Sequence, residues 1–256
     1  MSWSPRLANL PVRLCRAQSG IGPYFGLGLF TLVFLVPVYW ILLSSLLPRD
    51  KILTTPPTYF SLDFTLNNFY NAFNQISAAL LLRNSCIFAF TSAFLAVCFG
   101  LLAGYAFARY RWRGSNLLLL ILLLSTALPQ VATTIPLFQV YQRLGLINRL
   151  EGLILLESSI LIPFTVWIFI GYLRQIPTEL EEAARIDGAS LVQVLWYVVL
   201  PLTRPALATL FFVNFIIAWD ELFYPLVFAT SRSVQTLPVG LVQLTQQNVG
   251  VGTARP

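Results

Sequence analysis

Five stretches of this chain are apolar for about the length needed to cross a lipid bilayer, and nothing else in it limits the fold so strongly. They are residues 24–47, 85–108, 117–137, 152–173 and 206–230. About 20 predominantly apolar residues in an α-helix cover the hydrocarbon layer. Water is absent there, so every backbone N–H and C=O must be paired within the protein, and a helix does this inside one segment. The expected fold is all-α, a polytopic transmembrane helical bundle of about five spans. The composition agrees, with 57% hydrophobic and only 10% charged residues, where a soluble domain carries about 25% charge.

Several function classes drop out on residue types alone. The chain has no histidine, which removes Ser-His-Asp chemistry and histidine-ligated metals. Cys15, Cys86 and Cys98 form no C-x-x-C pair, so neither a disulfide framework nor a thiolate metal site is expected. No G-x-x-x-x-G-K-[ST] phosphate loop occurs, so the chain is not expected to bind ATP in that manner. No catalytic, cofactor-binding or metal-ligating residue is therefore assigned. The net charge of +6 comes from arginines scattered beside the apolar runs. Cations placed there fix membrane topology, and no nucleic-acid partner is expected.

The polar segment between the last two spans is the most informative. Residues 174–204 contain Pro177-Thr178-Glu179-Leu180-Glu181-Glu182-Ala183-Ala184-Arg185-Ile186-Asp187-Gly188-Ala189-Ser190. Thr178 followed by Glu181 has the spacing of a capping box, and Glu179, Glu181 and Glu182 suit the positive end of a helix dipole. Gly188 supplies a left-handed stop, and Ser190 with Gln193 opens a second helix running to about Pro201. The segment reads as helix, sharp turn, helix, held outside the bilayer. Ala183 and Ala184 leave one surface nearly bare, open to close approach by another protein.

Glu182-Ala183-Ala184, Asp187-Gly188-Ala189, Leu200-Pro201 and Pro205 resemble the EAA loop of binding-protein-dependent ABC importer permeases, here spanning residues 178–205. Other segments resemble the maltose-type sugar branch of that family. They are Asn68-Phe69 through Phe73 with Asn84-Ser85, the Ala103–Arg109 ending A-G-Y-A-F-A-R, and Leu144-Gly145-Leu146-Ile147-Asn148. In Trp219-Asp220-Glu221-Leu222, Asp220 stands where asparagine is usual. The resemblance covers residues 24–245, after a tail at 1–23.

The resemblance implies the type I ABC importer permease fold in the bacterial cytoplasmic (inner) membrane, and a subunit that moves a sugar or polyol. It implies an ABC ATPase subunit dimer, where ATP and Mg would bind, a second related permease in a heterodimer, and an external solute-binding protein. The loop would be the coupling helix. Glu181, Glu182, Ala183, Ala184, Asp187, Gly188, Ala189 and Pro201 would form the ATPase-coupling site, with Glu182 making the polar contact and Gly188 setting the loop's direction. A cytoplasmic N-terminus puts the loop and nine of sixteen cations on the inner face. Five spans would leave the family's last helix absent, followed by a polar tail at 246–256.

Charged groups in a bilayer cost about 2.5–3.5 kcal/mol on insertion scales, so such residues usually face the interior. Glu157, Asn214, Trp219, Asp220 and Glu221 are the candidates for a translocation path. The residues favour the plainer reading, that they are structural groups near span ends or bonded to a neighbouring helix. Two alternatives stand beside the importer reading: a truncated permease that binds partners without transporting, and a proton-coupled secondary transporter using Glu157 or Asp220.

Overall fold

The computed structural model describes residues 21–52, 59–110 and 112–252. Residues 1–20 of the expected tail at 1–23, the prolines at 56 and 57, Arg111 and the last four residues lie outside them. The helices are α1 (Ile21–Leu46), α2 (Arg49–Ile52), α3 (Asn67–Gln75), α4 (Ala78–Arg109), α5 (Ser115–Ser125) and α6 (Gln130–Arg143). They continue with α7 (Leu150–Leu173), α8 (Glu179–Ile186), α9 (Leu191–Val194), α10 (Leu200–Asp220), α11 (Phe223–Phe228) and α12 (Leu237–Gly252). Every regular element among the described residues is helical. Four helices are long and apolar enough to cross a membrane, or five with the bent pair α5–α6 counted as one, as the apolar runs require.

The chain divides after Asn71 into two units. In the first, α1 ends in carbonyls with no partner inside the helix, and the connector that follows supplies them. The Asn68 Nδ2 donates to the Ser45 and Leu47 carbonyls at 3.1 and 2.7 Å. The Thr65 N–H reaches Leu46 O at 2.8 Å. Lys51 pairs with Asp63.

The second unit is built on α4 packed along α7. Gly100 and Gly104, one turn apart, make that approach close. A Cβ at Gly100 would lie 2.5 Å from Thr165 Cγ2, and one at Gly104 would lie 2.7 Å from Phe169 Cβ. This is the small-residue contact that membrane helices use where no hydrophobic force draws them together. Phe88, Leu153, Leu156 and Phe228 fill one core cluster, and Phe169, Leu173, Val194 and Val199 a second. Asn84 and Ser85 hold the segment leading into α12. Asn84 Nδ2 donates to the Ser233 and Gln235 carbonyls at 2.9 and 3.0 Å, and Ser85 Oγ accepts from Leu237 N–H at 2.8 Å.

Several boundaries differ from those expected. Residues 117–137 are not one straight span, because α5 and α6 meet at 101°. Pro129 stands at that break in extended backbone; it lacks an N–H and pushes its predecessor out of helical geometry. The second span begins at Ala78, well before residue 85. The last expected span, 206–230, is displaced towards the N-terminus. A continuous helical run from Leu191 ends at Asp220, and Glu221 turns extended before α11. Pro201 does not stop that run. A π-helical turn over Leu195–Val199 precedes it, widening the helix where the proline ring would otherwise meet the carbonyl four residues back. The expected polar tail is helical as far as Gly252.

Candidate functional site

The loop folds as a short helix, a turn and a second helix start, but its first cap is not the one the spacing predicts. Thr178 makes no side-chain cap bond and has helical backbone angles. Glu181, the partner in the expected box, turns inward and is 3% exposed. It accepts from Tyr105 Oη at 2.7 Å and from Arg109 Nε at 2.7 Å. Arg109 Nη2 also donates to the Ile176 carbonyl at 3.0 Å, and Arg185 Nη2 to Tyr105 Oη at 3.4 Å. Tyr105 and Arg109 are four residues apart and so share one face of α4. They clamp the start of α8 to the end of α4. Glu181 therefore belongs to the inside of the site and not to its outer surface.

The far end of α8 closes as the glycine predicts. Gly188 has φ +89°, with its N–H on Arg185 O at 3.0 Å and the Ala189 N–H on Ala184 O at 2.9 Å. This pair of bonds is the Schellman closure. Ser190 then caps the next helix as expected: Gln193 N–H reaches Ser190 Oγ at 3.4 Å, and Ser190 N–H reaches Gln193 Oε1 at 2.7 Å. Glu182, Ala183, Asp187 and Gly188 are exposed, Ala184, Ala189 and Pro201 half-buried. Ile186 is 86% exposed and Val192 71% exposed. A rigid helix thus presents acidic and large apolar side chains together, away from the bundle. Exposed apolar groups beside polar ones suit contact with another protein.

Of the intramembrane candidates, Glu157 and Glu221 come within range of each other's charge, while Asn214 makes its contact elsewhere. Asn214 on α10 is fully buried and donates through Nδ2 to Thr165 Oγ1 on α7 at 2.9 Å, leaving its Oδ1 without a partner among the described residues. Glu157 is buried too, with its Oε2 unpartnered. It stands about 12 Å from Thr165 along α7, at 1.5 Å per residue. Trp219 stacks on Phe215, centroids 5.8 Å apart. Asp220 is exposed. Glu221 caps α11, its Oε1 accepting from the N–H groups of Phe223 and Tyr224 at 2.7 and 3.1 Å. Trp219 and Glu221 thus have structural work, while Asn214 and Glu157 each keep an oxygen free.

The sequence reading missed Tyr105 as part of the site and took Arg109 only as a topology-setting cation. The available signal was their four-residue spacing at a span end, opposite a loop rich in glutamate.

Residues 96–249 match the model of the family described as "Binding-protein-dependent transport system inner membrane component". The chain belongs to that family. The matched region holds both halves of the clamp, Tyr105 and Arg109 on α4 and Glu181 on α8. The permease is 34% identical over 212 residues to the sulfoquinovosyl glycerol transport system permease protein SmoH of Agrobacterium fabrum, covering 83% of this chain and 74% of that one. It is 32% identical to the trehalose transport system permease protein SugB of Mycobacterium tuberculosis, covering 82% and 76%. It is 30% identical to the trehalose/maltose transport system permease protein MalG of Thermococcus litoralis, covering 83% and 77%. In fold it resembles a chain in the crystal structure of a bacterial ABC transporter involved in the import of the acidic polysaccharide alginate. The TM-score is 0.74 at 24% identity, covering 90% of this chain and 80% of that one. The permease is a multi-pass membrane protein, and its relatives are transport subunits and not enzymes.

Proposed function

We propose that this permease is a membrane-crossing subunit of an ATP-driven importer that carries a sugar or polyol across the bacterial cytoplasmic membrane. Its α8 docks on a separate ATPase subunit, which binds the ATP and Mg. A second, related permease completes the pore, and an external solute-binding protein delivers the cargo. The glycoside names of the relatives support the cargo class. One observation carries the coupling role: an exposed helix, outside the bundle, is fastened by buried Glu181 to Arg109 and Tyr105 on a transmembrane helix. A push on Glu182 and Ile186 reaches α4 through that clamp.

In mechanism, closure of the ATPase dimer displaces α8, and α4 moves with it because the clamp leaves little slack. α4 and α7 move together, since Gly100 and Gly104 keep them in backbone-close contact. Access to the pore then changes sides. The test is co-purification from membranes with the ATPase encoded beside it, comparing the native chain with Ile186→Asp and Gly188→Asp. Retention by the native chain and loss by both variants is expected. Equal retention by all three overturns the docking role of α8.

A further inference from the structure

At the end of the bundle that carries α8, a cavity of about 720 Å³ opens between the ends of α4 and α7 and the start of α5. Arg174, Asn116, Ser115, Tyr110 and Trp112 line it, and among the described residues no acidic one does. The Arg174 guanidinium is exposed and has no hydrogen-bond or ion-pair partner among the described residues. Gly114 precedes α5 without any side-chain cap; the Ser115 N–H is taken by the Trp112 carbonyl at 3.2 Å, and the Ser115 hydroxyl and Asn116 amide add polar groups to the cavity wall.

A second hollow, of about 410 Å³, lies one turn further into the bundle and shares Arg174 with the first. Its walls are apolar: Leu119 on α5, with Trp167, Ile168 and Ile170 on α7. Gly171 lines it, and a Cβ placed there would meet nothing within 4 Å. A cationic, donor-rich cavity thus runs into an apolar groove along two spans. Trp112 and Tyr110, both exposed, line the cavity, and these are the residue types that settle at headgroup level.

We propose that this pair of hollows is a binding site for an anionic glycerophospholipid. The phosphodiester sits on Arg174 and the polar groups at the start of α5, and an acyl chain lies in the groove over Gly171. Basic pockets between transmembrane helices on the cytoplasmic side take anionic headgroups in this way. A free anion would use only the first hollow, and a zwitterionic lipid would bring its own headgroup cation beside Arg174 and offset the gain from its phosphate, so the site selects a lipid with net negative charge. The site is independent of the cargo.

The test is native mass spectrometry of the full chain, purified with the subunits it retains. It is taken from micelles doped with phosphatidylglycerol, phosphatidylcholine or inorganic phosphate. The native chain is expected to retain phosphatidylglycerol in preference to phosphatidylcholine, with no displacement by inorganic phosphate. Arg174→Gln should weaken retention about fivefold, the contribution of one arginine at a membrane surface. Gly171→Leu, whose Cβ would meet no protein atom within 4 Å and whose side chain would occupy the groove, should weaken it while leaving thermal unfolding unchanged. Equal retention of phosphatidylcholine, unchanged retention in both variants, or displacement by inorganic phosphate each overturns the proposal. Should Arg174→Gln unfold, Gly171→Leu decides alone.

Discussion

Arg109 Nε donates to Glu181 Oε1 at 2.7 Å across 72 positions of sequence, with both side chains nearly excluded from solvent. The bond joins the end of a transmembrane helix to a helix outside it. Removing one partner of a buried ion pair leaves the other charge uncompensated, at a cost of about 3–5 kcal/mol. Arg109→Ala should therefore loosen α8 specifically. Hydrogen exchange checks this, with faster exchange expected across Glu179–Ile186 and no change in the centre of α7. Arg109→Lys should recover little, because one ammonium cannot serve both Glu181 and the Ile176 carbonyl with the fork geometry of a guanidinium.

Gly188 sits at φ +89° with open space where a Cβ would go. The penalty for replacing it is then conformational and not steric, about 1–2 kcal/mol for a side chain held in the left-handed region. Asparagine tolerates that region better than alanine, and a β-branched residue worse. Retention of the ATPase on membranes should fall in the order Gly188, Gly188→Asn, Gly188→Ala, Gly188→Val.

Gly104 and Gly171 should respond differently to the same added methyl. At Gly104 a Cβ would lie 2.7 Å from Phe169 Cβ and 3.4 Å from a backbone carbonyl, and at Gly171 it would meet nothing. Gly104→Ala is expected to lower stability by about 1–3 kcal/mol through overpacking, and Gly171→Ala to leave it unchanged. Thermal unfolding in detergent measures both.

Thr165→Val removes the bond to Asn214 Nδ2, worth about 0.6 kcal/mol between membrane helices, but leaves Asn214 Oδ1 in place. Asn214→Leu removes both. If the free oxygen meets the cargo, Asn214→Leu should lower uptake of labelled trehalose or maltose far more than Thr165→Val, at similar thermal stability. Equal uptake by the two variants would make Asn214 a packing residue only.

The membrane class, the all-helical fold, the number of apolar runs and the turn at Gly188 were all legible in the sequence. Each follows from a local property: hydropathy over about twenty residues, or one residue's backbone freedom. The Ser190 cap was legible for the same reason, since its partner Gln193 is three residues away. What the sequence could not decide were the choices made between distant segments. Glu181 had two uses available, a local cap with Thr178 or a bond to Arg109, and capping-box spacing favours the first. The fold brings a buried guanidinium and a phenol within 2.7 Å, and a carboxylate in that setting gains more from them than from a solvent-exposed backbone N–H. The role of Asn84 was settled likewise, by the Ser233 and Gln235 carbonyls that the fold brings to it.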